Sequence, residues 1–132
     1  MSIQIESVTQ VGGTHYNSPY QHWDLVADLG LDYSRACATK YVTRSRKKNG
    51  REDLKKAVSY LEKAALCYRQ DRGIGLQRYQ LHNPAIQLFL TVNPMNEWEQ
   101  RCILQILQAE DDTGLNKCVQ TIQEYLGEDP LV

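Results

Sequence analysis

"YSRACATKYVTRSRKKNGREDLKKAVSYLEKAALCY", residues 33–68, decides the fold. Cys37/Tyr41 and Ala38/Val42 stand four apart, and Leu54, Val58, Leu61, Ala65 and Tyr68 recur in steps of four and three. That is the period of an α-helix with one apolar face, and the two-residue alternation of a strand is missing. Asn49-Gly50 separates the two runs as a turn signal, with Gly50 free to adopt positive φ. The stretch therefore predicts a helical hairpin, about 33–46 against 51–68, with polar outer faces.

Helix signals continue on both sides. Ser18 before Pro19 reads as an N-cap and first helical residue, Gly30 as the exit, and Trp23, Val26, Ala27 and Leu29 lie between. Asn83-Pro84 and Asn93-Pro94 repeat the cap-proline pattern, predicting helices over 85–92 and 94–109, the second carrying Met95, Trp98, Cys102 and Ile106. Thr113 caps a last helix with Leu115, Cys118, Val119, Ile122 and Leu126 inward, closed by Gly127. Residues 69–83 lack periodicity and hold two glycines, so they read as a linker or a lid loop. Ile3 and Ile5 alternate as in a short strand, which Gly12-Gly13 ends. The expected fold class is all-α, with five to six helices. A 1–12 arm precedes a 13–68 helical domain, and 84–132 form a C-terminal helical extension or the rest of one compact domain.

Bulk properties exclude several classes. At 132 residues one domain is expected, and 42% hydrophobic with 23% charged residues is an ordinary balance. No apolar run approaches the roughly 20 residues a membrane span needs. MSIQIESVTQVGG has no basic start and no apolar stretch, so it is no secretory signal and a cytoplasmic location is expected. Cys37, Cys67, Cys102 and Cys118 are scattered without a C-x-x-C, and His15, His22 and His82 do not complete a zinc set. They read as reduced packing thiols, with no protein-held metal.

Charge is uneven. Residues 40–56 hold eight bases and two acids, a net of +6, whereas 84–132 hold eight acids and two bases, a net of −6. Such a two-faced chain suits internal complementarity or head-to-tail assembly into a homo-oligomer. Lys40, Arg44, Lys47 and Lys48 share one helix face. Lys47 and Lys48 offset a helix C-terminus, but Lys55 and Lys56 sit near a helix N-terminus, where cations are disfavoured. A solvated face and an anion site are both compatible with that. A duplex rewards a broad positive footprint and single strands need interleaved aromatics, so a compact patch at net charge −1 disfavours nucleic acid. A mono- or polyphosphate fits better, with Tyr16, Tyr20, Trp23 or Tyr60 to face a base.

"GGTHYNSPYQHWD", residues 12–24, adds exposed glycine amides and His15, which can donate to phosphate or exchange a proton near neutrality. Equally, it is a loop whose Tyr16 staples the following helix. The acids Asp24, Asp28, Asp32, Glu52, Asp53 and Glu62 are too thinly paired for an all-protein magnesium site, so Mg2+ would be shared with substrate phosphates. There is no G-x-x-x-x-G-K-[ST], no G-x-G-x-x-G after a strand and no G-x-S-x-G.

His15-Tyr16, Lys40-Tyr41-Val42-x-Arg44, Lys48-Asn49-Gly50 and Asp53-Leu54-x-Lys56-Ala57-x-x-Tyr60-Leu61 together resemble a small bacteriophage domain family over about residues 13–68. It is known as SaV-like or phage nucleotide kinase and is largely of unknown function. Cys37 stands where the family pattern has asparagine. The resemblance implies a phage-encoded nucleotide-binding protein, similar to a P-loop-less nucleoside monophosphate kinase that forms large oligomers. Carried over by position, His15 and Asp53 would be catalytic. Tyr16, Lys40, Arg44, Lys48, Lys56 and Tyr60 would bind ligand, and Mg2+ would accompany catalysis. Two further functions fit the same residues. One is non-catalytic sequestration of a nucleotide, such as a cyclic signal in host defence. The other is a host-protein inhibitor acting through the acidic C-terminal half.

Overall fold

The computed structural model describes residues 18–46, 49–72 and 74–127. Within them lie six helices: α1 His22–Leu29, α2 Tyr33–Arg44, α3 Gly50–Arg69, α4 Pro84–Val92, α5 Glu97–Gln108 and α6 Asp112–Leu126. No strand occurs among the described residues, and none of their helices is long and apolar enough to cross a membrane. The short strand expected over 1–13 lies outside them.

The hairpin forms as its period predicts. Leu54, Val58, Leu61 and Ala65 of α3 are buried, as are Ala38 and Val42 of α2. Tyr68 is the exception, because the last turn of α3 runs past the core. Gly50 is needed for a different reason than positive φ, which it does not have. It is the first residue of α3, and a Cβ there would run into the carbonyl oxygen of Ser45. The turn therefore brings the start of α3 closer to the end of α2 than a side chain at this position allows.

Three predicted starts move by a few residues, each for a local hydrogen-bonding reason. α1 is capped by Gln21, whose backbone N–H donates to Asp24 Oδ2 at 2.9 Å, while Ser18 Oγ donates to the Tyr20 carbonyl instead. α5 begins after Asn96, which forms a capping box with Glu99, and Asn93 ends α4 with Nδ2 donating to the carbonyls of Tyr20 and Phe89. α6 is capped by Asp111, whose carboxylate accepts from Gly114 N at 2.8 Å, ahead of Thr113's expected role. Asn83 caps α4 as predicted, and Gly30 and Gly127 close α1 and α6 in the left-handed conformation that glycine adopts without cost.

α3 packs chiefly against α2 and α6, α2 also against α5, α5 against α6, and α1 against α4. One hydrophobic cluster runs through all six helices. Residues 74–83 are strapped onto it: Tyr79 is buried, its hydroxyl donates to the Leu29 carbonyl at 3.0 Å, and its N–H donates to Leu107 O.

Arg35 holds this assembly at its centre and is fully buried. Its Nε pairs with Asp32 Oδ1 at 2.6 Å, and its Nη1 donates to the carbonyls of Ile106, Leu107 and Ala109 at 3.1–3.4 Å. Those carbonyls end α5, so a cation sits where the helix dipole is negative. The guanidinium also lies 5.4 Å from the Tyr79 ring centroid.

Candidate functional site

α1 leans on α4 rather than on α2, and the gap it leaves beside α2 is a cavity of about 540 Å³. Its walls are largely apolar, with Trp23, Val26, Leu31, Ala36 and Cys37 among them. Lys40 and Arg44 line it too, joined by His22 and by Asn93 at the start of the α4–α5 loop. Trp23 and Tyr33 are 75% and 73% exposed, so the rim carries two aromatic rings that no packing requirement hides.

Lys40 and Arg44 belong to a second arrangement as well. Lys40 Nζ lies 4.8 Å and Arg44 Cζ 5.9 Å from the centroid of the Tyr41 ring, and Lys56 Nζ reaches the same ring from α3 at 5.4 Å. Tyr41 stacks on Tyr60 at 6.0 Å, and Tyr60 meets Tyr33 edge-on at 5.9 Å. The Tyr33 hydroxyl is pushed up to about 12 by hydrogen bonding to Tyr60 and then to Cys37. The aromatic faces offset part of the cationic repulsion, which lets three positive charges share one spot.

Four of the site residues read from the sequence thus come together: Lys40 and Arg44 from α2, Lys56 and Tyr60 from α3. Asp53 does not join them; it is buried in the opening turns of α3 and does not line the cavity. His15, Tyr16 and Lys48 lie outside the described residues.

Two further cations of the hairpin, Arg46 and Arg51, do structural work. Arg46 Nε faces the buried Glu99 carboxylate at 3.9 Å, and Arg51 Nη1 donates to Leu126 O at 2.9 Å, capping α6. Ser45 Oγ donates to Glu99 as well. These groups surround a smaller cavity of about 220 Å³ between the hairpin turn and the α5 and α6 ends. The acidic half therefore neutralises part of the basic one internally. Among the described residues no three His, Cys, Asp or Glu side chains gather as a metal set.

Two residues of consequence escape a reading of motifs. Arg35 carries a local signal, Asp32 three residues earlier, but its α5 partners are distant in sequence. His22 sits in the cavity wall, with Nε2 2.7 Å from Thr39 Oγ1. Burial, and secondarily the charge of Lys40, push the His22 imidazole down to about 4, so it is neutral at physiological pH. Cys102 and Cys118 are buried thiols, raised by desolvation, Cys118 to about 12, as suits packing residues.

Fold and site define an all-α protein with a largely apolar cavity lipped by cations. Residues 14–62, about a third of the chain, match the model of DUF3310, a family described as a protein of unknown function. That span holds α1, α2 and most of α3, and with them the cations and the tyrosine platform. No curated protein and no solved structure matches the chain.

Proposed function

We propose that this protein binds a nucleotide in the α1–α2 cavity. The phosphate would meet Lys40 and Arg44, and the base would lie against the rim aromatics Trp23 and Tyr33. The observation that carries this is that Lys40 and Arg44, which line a largely apolar cavity, also meet Lys56 around the Tyr41 ring. Cations exposed merely for solubility spread over a surface. These three converge from two helices beside a space of the size small-ligand sites have, about 300–1,000 Å³.

Phosphoryl transfer, as in a P-loop-less nucleoside monophosphate kinase of bacteriophage type, needs a donor and an acceptor together. One nucleotide would occupy the cavity, and the phosphates of the second would approach over Tyr41, where Lys56 stands. Charge stabilisation by these cations and a phosphate-borne magnesium would supply most of the catalysis. Simple holding of one nucleotide, as in a protein that sequesters a signal, uses the same groups without the second partner. The position of Asp53 away from the cavity favours holding over transfer.

Incubation with each nucleoside monophosphate, ATP and Mg2+, followed by chromatography of the nucleotides, tests both. Diphosphate product establishes transfer. Unaltered nucleotide retained through gel filtration and released by heat establishes holding. Neither turnover nor retention would refute the nucleotide site.

A further inference from the structure

His22 offers the cavity a hydrogen-bonding group of fixed polarity. Thr39 Oγ1 lies 2.7 Å from His22 Nε2, 2.8 Å from the Arg35 carbonyl and 3.2 Å from the Ala36 carbonyl. A hydroxyl has one hydrogen, and carbonyl oxygens only accept, so the Thr39 hydrogen goes to the helix backbone. The lone pair left on Thr39 faces the imidazole, and Nε2 must donate to it. A neutral imidazole has one donor and one acceptor, which makes Nδ1 the acceptor. Burial and Lys40 keep the ring in that neutral form. Phe89, edge-on at 5.9 Å, fixes the ring plane.

Among the described residues Nε2 alone of the two ring nitrogens has a hydrogen-bond partner. His22 is itself one of the residues that line the cavity. An unpaired acceptor on a residue that lines the cavity is open to a ligand there.

We propose that His22 Nδ1 is the specificity-determining acceptor of the cavity. It accepts an N–H of the bound base and so rejects analogues that lack one, while Lys40 and Arg44 hold the phosphate. This rests on the nucleotide-binding function proposed above. Because Nδ1 is held unprotonated, it cannot serve as a second anchor for phosphate; it discriminates between bases and base analogues.

The test compares the tightest-binding of the four ribonucleoside 5′-monophosphates with its analogue in which the base N–H groups are replaced by C–H or N-methyl. Binding is followed by calorimetry, with inorganic phosphate as the charge-only probe. The wild-type protein is expected to bind the analogue about tenfold more weakly, as befits one neutral hydrogen bond. His22→Gln keeps a donor near Thr39 but nothing at the Nδ1 position, and is expected to lose the discrimination. His22→Asn places its amide oxygen at that position and is expected to keep part of it. Equal binding of nucleotide and analogue by the wild-type protein overturns the role of His22 and leaves the nucleotide site standing. Absence of binding by all four nucleotides overturns both. The wild-type comparison decides the matter even if a variant fails to fold.

Discussion

Replacing Arg35 with methionine removes a buried cation while keeping most of its volume. Asp32 then faces the interior without its 2.6 Å partner, and the carbonyls of Ile106, Leu107 and Ala109 lose their donor. Breaking one side of a buried ion pair costs about 3–5 kcal/mol, and the carbonyl losses overlap with that figure because one guanidinium makes all the contacts. Against a total stability of about 5–15 kcal/mol, such a loss is large. At a urea slope of about 1.5 kcal/mol per molar, the midpoint followed by helical circular dichroism should fall by roughly 2–3 M. Arg35→Lys keeps the charge but not the fork, and should fall between the two. A cycle with Asp32→Asn, which keeps an acceptor for the Arg35 N–H at the start of α2, should return a coupling of about 1–3 kcal/mol. A midpoint shift corresponding to under 1 kcal/mol for Arg35→Met would show that the buried guanidinium does not hold α5 to α2.

Gly50→Ala would raise stability by about 1 kcal/mol at an ordinary helical glycine, but here the collision with Ser45 O reverses the sign and a loss of about 1–3 kcal/mol is expected in urea melts. Between pH 6.5 and about 4 the unfolded chain takes up a proton at His22 that the folded chain refuses, because burial disfavours the charged ring. Stability therefore falls as pH falls through that window, by up to about 3 kcal/mol, and urea midpoints at pH 7 and 4.5 should differ more for wild type than for His22→Gln. Lys40→Ala combined with Arg44→Ala should weaken nucleoside monophosphate binding at least tenfold and flatten its salt dependence, as a calorimetric salt series would show. Native thiol titration should find Cys102 and Cys118 unreactive until the protein unfolds, since desolvation holds both thiols protonated.

The hairpin was legible because its apolar residues repeat at the helical period over two long runs, and Leu115 through Leu126 of α6 were legible for the same reason. Helix starts were less so. Asn83-Pro84 and Asn93-Pro94 are the same dipeptide, yet only the first begins a helix: Asn93 ends α4, its Nδ2 donating to the carbonyls of Tyr20 and Phe89, and Asn96 caps α5 instead. The basic cluster was visible as a count of charges. Its division was not: Arg46 and Arg51 turn to Glu99 and Leu126, more than fifty residues away in sequence, while Lys40, Arg44 and Lys56 turn to Tyr41. His22 carried no motif, because its chemistry depends on a threonine one helix away.

The division of the buried face of α3 between α2 and α6 bears on how such a segment can travel between proteins. Residues 14–62 hold the cations and the tyrosine platform, but they cannot shield their own apolar surface. Transplanted alone, they would present that surface to water and collapse against whatever is nearest. Any polypeptide that carries a segment of this kind must therefore bring a cover, whether three further helices, as here, or a second molecule laid against the first. The cover is free to differ from one host chain to another in everything except its greasy side.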